Sequence, residues 1–93
     1  MVQSWKGTAA EAIFKGERPK GFPPDVVDAA RRRLARLDAA TTLQDLRSPP
    51  GNKLHALAAD RKGQWAIWVN GQFRLCFVWG SQGPEAVEIV DYH

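Results

Sequence analysis

Apolar residues in the first half of the chain recur at helical spacing. Between residues 23 and 41, four of them follow at intervals of three and four, so they form one stripe of an α-helix: Val27, Ala30, Leu34 and Leu37. The segment Pro23-Pro24-Asp25 predicts the start of this helix, because proline is favoured in a first helical turn. We expect the helix to fade near Ala39-Ala40-Thr41.

Two shorter helical segments flank the main one. The first is predicted from Thr8 to Phe14, with Thr8 as the N-cap and Glu11 at capping-box spacing. Gly16 would end it, since glycine favours the left-handed conformation that follows many helices. In the connector after the main helix, Leu43 to Leu46 predicts one further helical turn.

The second half of the chain has the period of two that is typical of β-strands. It begins after a strong breaker, Ser48-Pro49-Pro50-Gly51-Asn52. The predicted strands cover residues 53–57, 64–69, 72–79 and 86–90, and residues 2–5 are a further short candidate. Helices therefore precede a run of strands.

Asn70-Gly71 is the strongest hairpin signal in the chain. A two-residue loop there would pair Trp68 with Phe73. The sheet face expected to pack on a helix then carries Ala66, Trp68, Phe73, Leu75 and Phe77. The other face is mixed and has Arg74 at its centre. A charged residue in a central strand is either functional or paired, and the candidate partners on the next strand are Glu88 and Asp91.

Length and composition limit the possibilities. The 93 residues suffice for one domain with one modest core, and 44% of them are hydrophobic while 25% are charged. The net charge of +3 is compatible with binding to nucleic acid but does not by itself indicate it. The single cysteine, Cys76, excludes an intrachain disulfide and indicates a reducing, cytoplasmic compartment. We expect no metal site, no cofactor, no signal segment and no membrane partner.

Four residues carry candidate chemistry: His55, Arg74, Tyr92 and His93. Two histidines are sufficient in principle for metal-free RNA cleavage, because one can deprotonate the 2′-hydroxyl and the other can protonate the leaving 5′-oxygen. A guanidinium can stabilise the negative charge that builds on the equatorial phosphate oxygens, and a tyrosine can stack on a base. The alternatives are a strand histidine at His55 and a solvated tail at Asp91-Tyr92-His93.

Several segments together form a recognisable family pattern: Ser4-Trp5-Lys6, residues 37–41, residues 53–65 with Gly63-Gln64-Trp65, residues 69–77, and Val87 to the terminal Asp91-Tyr92-His93. In these segments, and so over nearly its whole length, the chain resembles the HigB toxins of the RelE/ParE toxin–antitoxin superfamily. It implies a compact α+β fold with two N-terminal helices packed on a mostly antiparallel sheet of four to five strands.

The resemblance also implies an activity and partners. These are ribosome-dependent cleavage of mRNA, silencing by a HigA-like helix-turn-helix antitoxin, and contact with operator DNA only through that antitoxin. By position, His55 and His93 would be the acid–base pair, with Arg74 on the scissile phosphate. Tyr92 would position a base and Asp91 would orient its neighbours. The RNA-binding residues would be Lys53, Arg61, Lys62 and Gln72, together with the helical Arg31, Arg32 and Arg33.

Two positions depart from the family pattern. Many members have a lysine three residues after the histidine, where this chain has Ala58, so we predict weakened cleavage. Arg61 or Lys62 could supply the missing charge or be solvated turn residues. Trp68 stands where members often have arginine, and its predicted face makes it a packing residue or a patch for a partner.

Two other functions stay open at this point. One is a non-catalytic binder that occupies the ribosome or acts in a repressor complex, and the other is a ParE-like gyrase inhibitor, which would leave Tyr92 and His93 without a task. The arginines of the main helix likewise have two interpretations. They either bind RNA phosphates collectively or form a solvated face with an ion pair from Asp28 to Arg32.

Overall fold

Residues 1–92, which the computed structural model describes, form two α-helices followed by a four-stranded antiparallel sheet. The helices are α1, Ala9–Phe14, and α2, Pro24–Ala39. The strands are β1, His55–Ala56; β2, Trp65–Trp68; β3, Phe73–Gly80; and β4, Gly83–Asp91, in that order across the sheet. Three 3₁₀ turns lie between α2 and β2: Leu43–Arg47, Pro50–Asn52 and Ala59–Arg61. The predicted α+β class is confirmed.

The core lies between α2 and one face of the sheet. The predicted stripe of α2 is buried, and it belongs to the same cluster as Ile67, Leu75, Phe77 and Val87 of the sheet. Arg31 joins the two helices, because its Nε donates a 2.9 Å hydrogen bond to the carbonyl oxygen of Ile13 at the end of α1. The apolar spacing in the sequence therefore locates the core correctly. Among the described residues, no helix is long and apolar enough to cross a membrane.

Two predicted helix contacts are wrong. The side chain of Thr8 makes no capping hydrogen bond, because Thr8 already has helical backbone angles, whereas an N-cap side chain works from an extended residue. Asp28 pairs with Arg18 at 3.0 Å and with Arg31 at 3.9 Å rather than with Arg32. Arg18 reaches it from the loop between the helices.

The N-terminal segment extends the sheet beyond β4. Trp5 forms a parallel bridge with Val87, and the amide of Lys6 donates to the carbonyl oxygen of Val87 at 3.0 Å. The short first strand predicted at residues 2–5 is thus reduced to one bridge. Beside it, Ala86 has a φ of 51° where the register of β3 and β4 shifts, as at a β-bulge.

The hairpin between β2 and β3 has a register one residue away from the predicted one. Trp68 lies opposite Arg74, and Ile67 lies opposite Leu75. The loop has three residues because the Asn70 side-chain oxygen accepts 2.8 Å hydrogen bonds from two main-chain amides, those of Gln72 and Phe73. A shift of one residue moves every side chain of a strand to the opposite face. The predicted assignment of Trp68 and Ala66 to the core face is therefore wrong.

Strand β1 is shorter than predicted, at two residues rather than five. Lys53 before it has a φ of 49°, in the left-handed region, and its amide closes the preceding 3₁₀ turn on the carbonyl oxygen of Pro50. The chain enters the sheet only at His55, which lies opposite Ala66.

Candidate active site

The sheet face turned away from the helices collects the candidate residues. We call it the outer face. Because side chains alternate between the two faces of a strand, the residues that do not point into the core lie on the outer face. The register of the strands brings the following of them next to one another: His55, Ala66, Trp68, Arg74, Cys76 and Glu88. Tyr92 continues the alternation of β4, with its ring centroid 5.2 Å from Cζ of Arg74. The fold thus gathers His55, Arg74 and Tyr92 on one surface.

Arg74 is the central cation of the outer face and is only 8% exposed. Its Nη1 donates to the carbonyl oxygens of Asn70 at 2.7 Å and of Phe73 at 3.1 Å. Its buried Nε has no hydrogen-bond partner within residues 1–92. The two carbonyl oxygens therefore hold the guanidinium in place. The unpartnered Nε is energetically costly, because a buried donor has lost its hydrogen bonds to water.

Glu88 does not pair with Arg74. Its carboxylate accepts a 3.1 Å hydrogen bond from Arg61, and Lys6 lies 3.5 Å from it. The alternative in which Glu88 neutralises Arg74 is therefore wrong, because Arg61 approaches Glu88 from the turn before β2. Asp91, the other candidate, accepts a 3.2 Å hydrogen bond from Nε2 of Gln72.

Trp68 stacks with two cations. Cζ of Arg74 lies 4.0 Å from the centroid of its ring, and Nζ of Lys53 lies 3.9 Å from the same centroid. The negative face of an aromatic ring attracts cations at such distances. Sequence reasoning gave Trp68 no part in the site because the assumed two-residue loop put it on the core face. The signal that could have corrected this is Asn70, whose side chain commonly caps a longer turn.

His55 is exposed, and its ring is oriented by the backbone. Its Nδ1 lies 2.9 Å from the carbonyl oxygen of Lys53. A carbonyl oxygen only accepts, so Nδ1 is the protonated nitrogen in the neutral ring and Nε2 is left as the acceptor. An imidazole in this state can take a proton through Nε2.

Tyr92 and Cys76 are neighbours on the outer face. Burial raises the pKa of the Cys76 thiol, and burial also raises the pKa of the Tyr92 hydroxyl, with the neighbouring thiol adding to the effect. The main-chain amide of Tyr92 bonds to the carbonyl oxygen of Gln72 at 2.6 Å. Tyr92 therefore keeps its proton at neutral pH, which suits stacking or hydrogen-bond donation rather than proton abstraction.

The two basic turn residues near the site differ in their placement. Arg61 is fixed by hydrogen bonds of 3.1 Å to Gln64 and Glu88, and the bond to Glu88 raises the pKa of the guanidinium. Lys62 is exposed, as is Ala58 at the position of the family lysine. Arg61 thus contributes charge to the outer face while its contacts hold it on Glu88.

The arginines of α2 are also unequal. Arg31 donates to the carbonyl oxygens of Ile13 and Glu17, each at 2.9 Å, and Arg33 donates to that of Trp68 at 3.0 Å. Burial lowers the pKa of Arg33, with the charges of Arg36 and Arg32 adding to the effect. Arg32 is exposed. Their predicted RNA contacts stay predictions, and Arg31 and Arg33 would make them only alongside these internal bonds.

His93 lies outside the described residues, so its role as the partner of His55 stays a prediction. Within residues 1–92, no group of three or more histidine, cysteine or acidic side chains is arranged to hold a metal ion. The described part of the chain also encloses no pocket. The candidate site is therefore an open surface of cations and aromatic rings with one oriented imidazole.

Comparison with known proteins gives consistent matches. Residues 5–93 match the family described as the RelE-like toxin of the type II toxin–antitoxin system HigB. The chain is 43% identical over 80 residues to Toxin HigB-1 of Vibrio cholerae serotype O1, covering 85% of this chain and 84% of that one. It is 31% identical over 93 residues to Endoribonuclease HigB of Proteus vulgaris, covering all of both chains.

Proposed function

This chain belongs to the HigB-like family of RelE-like toxins from type II toxin–antitoxin systems, and from that membership we propose that it is an endoribonuclease that cleaves mRNA on the ribosome. A toxin of this type has an antitoxin partner. We propose a HigA-like helix-turn-helix protein in that role, with operator DNA bound only through it. The reaction would take place in the cytoplasm, where ribosomes translate.

One observation carries the proposal: an oriented imidazole and a buried, backbone-held guanidinium share the outer face. Nε2 of His55 is the acceptor, because Nδ1 is engaged by the Lys53 carbonyl oxygen. Glu88 does not neutralise Arg74 on that face, because Glu88 is engaged by Arg61 and Lys6. A base and a fixed cation are the two groups that metal-independent cleavage of a phosphodiester requires first.

The proposed reaction is an internal transesterification. His55 takes the proton of the 2′-hydroxyl through Nε2, and the 2′-oxygen attacks phosphorus. The bond from phosphorus to the 5′-oxygen breaks, and a second group, for which we propose His93, protonates that oxygen. The products are a 2′,3′-cyclic phosphate and a free 5′-hydroxyl. Arg74 stabilises the negative charge that builds on the non-bridging oxygens.

The order of the strands supports one path for the RNA backbone over the outer face. β1 lies two strands from β3, or ~10 Å across the sheet, so the RNA backbone would run across the outer face from His55 towards Arg74. Tyr92 would stack on a base next to the scissile phosphate, because its ring is exposed and lies beside Arg74 on the same face. Asp91 would orient Gln72 toward the RNA through their 3.2 Å hydrogen bond.

The shallow site supports dependence on the ribosome. An endonuclease that acts alone needs walls to hold the RNA in line for attack, and an open surface supplies few of them. The ribosome already holds mRNA in a defined path. We therefore propose that the ribosome positions the substrate and that the toxin adds the base and the cations.

Ala58 favours one alternative. Ala58 is exposed, lies three residues after His55 and brings no cation to the turn. Because a cation would help cleavage there, its absence favours a second candidate, a toxin that only occupies the ribosome or acts in a repressor complex. Arg61, the nearest basic residue of that turn, is bound to Glu88. The alternative predicts growth inhibition that survives loss of the imidazole.

The test is a primer-extension map of an mRNA incubated with the toxin, either on translating ribosomes or as naked RNA without ribosomes. We expect cuts within the translated region and few in naked RNA. His55→Ala should lower the cleavage rate by about 100-fold or more, as expected for loss of a general base. Lys15→Ala is the matched control, since Lys15 directly follows α1 and pairs with Glu11.

Four results would contradict the proposal. Intact mRNA on translating ribosomes would reject the nuclease, and equal cutting of naked RNA would reject the ribosome requirement. Growth inhibition that persists in a His55→Ala, His93→Ala double variant would favour the non-catalytic alternative. An SOS response on expression would instead indicate a gyrase inhibitor.

A further inference from the structure

Asn52 is a fully buried polar residue that lies just before the sheet. It ends the 3₁₀ turn Pro50–Asn52 and is 0% exposed. Its Nδ2 donates hydrogen bonds to the carbonyl oxygens of Leu46 at 3.1 Å and of Ser48 at 3.3 Å. The side-chain amide therefore ties the end of the turn Leu43–Arg47 to the turn that leads into β1.

The oxygen of the same side chain indicates that this role is specific. Oδ1 of Asn52 is buried and has no hydrogen-bond partner among residues 1–92. A buried acceptor without a partner is destabilising, and asparagine is seldom found fully buried. The fold thus retains an amide of which only the donor half is used. We take this as a sign that the two bonds of Nδ2 are needed for the geometry of the segment that follows.

The residue that follows Asn52 orients the candidate base. Lys53 has a φ of 49° and a ψ of 48°, in the left-handed region, and its amide donates to the carbonyl oxygen of Pro50 at 3.1 Å. Residues with a side chain adopt this conformation uncommonly, and it is enriched at functional sites. In this conformation the carbonyl oxygen of Lys53 lies 2.9 Å from Nδ1 of His55.

Contacts on three sides hold Lys53 in place. The preceding Asn52 is anchored by its buried amide, the main-chain amide of Lys53 is bonded to Pro50, and Nζ of Lys53 lies 3.9 Å from the ring centroid of Trp68. The carbonyl oxygen is then directed at His55. Because the hydrogen bond of one imidazole nitrogen sets the state of the other, the position of this oxygen makes Nε2 the acceptor.

We propose that Asn52 is a positioning residue for His55 and that it acts through the main chain of Lys53. The buried amide fixes the left-handed turn, the turn places the Lys53 carbonyl oxygen, and that oxygen leaves Nε2 of His55 able to accept a proton. Asn52 itself does not contact the substrate, since it is fully buried. The inference rests on the proposed function, because it explains how the base of that reaction is kept in its working tautomer.

The first experiment compares two variants that both remove the charge of Lys53. Asparagine adopts the left-handed conformation more readily than most residues with a side chain, whereas the β-branched side chain of valine opposes it. Lys53→Asn should therefore keep the carbonyl oxygen in place, and Lys53→Val should displace it. Both variants lose the ammonium group, so a difference between them reports on the backbone and not on the charge.

The readout is the tautomer of His55, measured by long-range ¹H–¹⁵N correlation NMR in alkaline solution, where imidazole rings are neutral. The chain has two histidines, and the signals that disappear in His55→Gln are those of His55. We expect the Nδ1–H form in the parent protein and in Lys53→Asn. In Lys53→Val we expect a shift towards the Nε2–H form.

The second experiment acts on Asn52 itself. Asn52→Leu keeps a similar volume but removes both bonds of Nδ2, so we expect the same tautomer shift as in Lys53→Val. The kcat for mRNA cleavage on the ribosome should fall roughly ten-fold with little change in KM, because the base is misplaced while the binding surface is kept. Val27→Ala is the control. It destabilises the core from α2 and should lower the melting temperature without changing the tautomer.

Defined results would overturn the inference. These are an Nε2–H tautomer in the parent protein, the same tautomer in Lys53→Asn and Lys53→Val, or an unchanged tautomer in folded Asn52→Leu. Lys53 is exposed, so the first comparison can overturn the inference even if Asn52→Leu does not fold. The NMR readout is independent of catalysis. A parent protein that cuts no mRNA but shows the expected tautomers would reject the nuclease and support the orienting role of the turn.

Discussion

Nη1 of Arg74 donates a 2.7 Å hydrogen bond to the carbonyl oxygen of Asn70, the first residue of the hairpin loop. The Asn70 side chain in turn accepts from the amides of Gln72 and Phe73, at 2.8 Å each. The loop that turns the chain is thus also the support that fixes the central cation of the site. The hydrogen bonds that form the loop therefore also determine the position of Arg74.

Asn70→Ala should therefore affect both stability and activity. It removes two hydrogen bonds that are partly exposed, so we expect a loss of about 1 kcal/mol in the free energy of unfolding. Cleavage of mRNA should fall further than stability explains, because Arg74 loses its fixed anchor. Urea unfolding and ribosome-dependent cleavage measure the two effects. Asn70→Asp, which retains an accepting oxygen, is the matched control, and equal loss in both variants would contradict the argument.

This hairpin also shows where sequence reasoning succeeded and where it failed. Asn70-Gly71 correctly located the turn, and the stripe of α2 correctly identified the core helix. The loop length was wrong because the asparagine side chain competes with the main chain for two amides, and propensity alone does not decide that competition. One extra loop residue then moved Trp68 from the core face to the site.

The other residues of the candidate site could be predicted from the sequence to different degrees. Sequence reasoning named His55, Arg74 and Tyr92 as candidates because their chemistry and their family positions coincide, and their roles stay predictions. Arg61 pairs with Glu88 across 27 positions of sequence, and the Lys53 side chain reaches Trp68 through a left-handed backbone. Neither contact has a local sequence signal, since each depends on how an irregular segment folds over the sheet, the one before β2 for Arg61 and the one before β1 for Lys53.

Glu88→Gln should destabilise the protein modestly. It leaves Arg61 with a weaker, uncharged acceptor and removes the main cause of the raised pKa of Arg61. Because the Arg61 side chain is one-third exposed, we expect a loss of about 1 kcal/mol, at the low end for a partly buried pair. Chemical denaturation at low salt measures it. Lys6→Met removes the outer, mostly exposed partner and should cost less, so a larger loss in that variant would reverse the assignment.

Stability should fall in alkaline solution, beginning with Cys76. Burial raises the pKa of its thiol above the usual 9.0. The unfolded thiol therefore ionises at a lower pH than the folded one, which favours the unfolded state as pH rises through that range. Tyr92 acts in the same direction from its usual 10.0 upward.

Melting temperatures between pH 8 and 11 test this order. Cys76→Ala should lower stability at pH 7 through lost packing but should show a shallower fall between pH 9 and 10. Tyr92→Phe should leave that part of the curve in place and flatten the part above it. Parallel curves for the parent and Cys76→Ala would show that the thiol does not contribute.

Asp45 should stabilise the turn after α2 in a pH-dependent way. Its carboxylate accepts hydrogen bonds from the amides of Thr41 and Thr42, at 3.0 and 3.1 Å, and those bonds lower its pKa from the usual 3.8. A depressed pKa contributes stability that is complete above the unfolded value and is lost as pH falls through the folded one. Asp45→Asn should be less stable than the parent at pH 7.

The difference between Asp45→Asn and the parent should shrink below about pH 4, when the parent carboxylate is protonated as well. Thermal unfolding over pH 2 to 7 follows it. Asp60→Asn, at an exposed position in another 3₁₀ turn, is the control for the loss of one negative charge. A difference that stays constant down to pH 2 would contradict the role of the charge.

Ala58→Lys should increase cleavage. Position 58 is exposed at the start of the 3₁₀ turn Ala59–Arg61, three residues after His55, and a lysine there would restore the cation of the family pattern. An exposed side chain orders less well than a preorganised one, so we expect roughly a ten-fold rise in kcat/KM, or about 1.4 kcal/mol of transition-state stabilisation. Ala35→Lys adds the same charge at an exposed position on α2 and should change the rate little. An equal rise in both variants would mean that general attraction to the ribosome limits the reaction. No rise in either variant would contradict the prediction that a cation at position 58 aids cleavage.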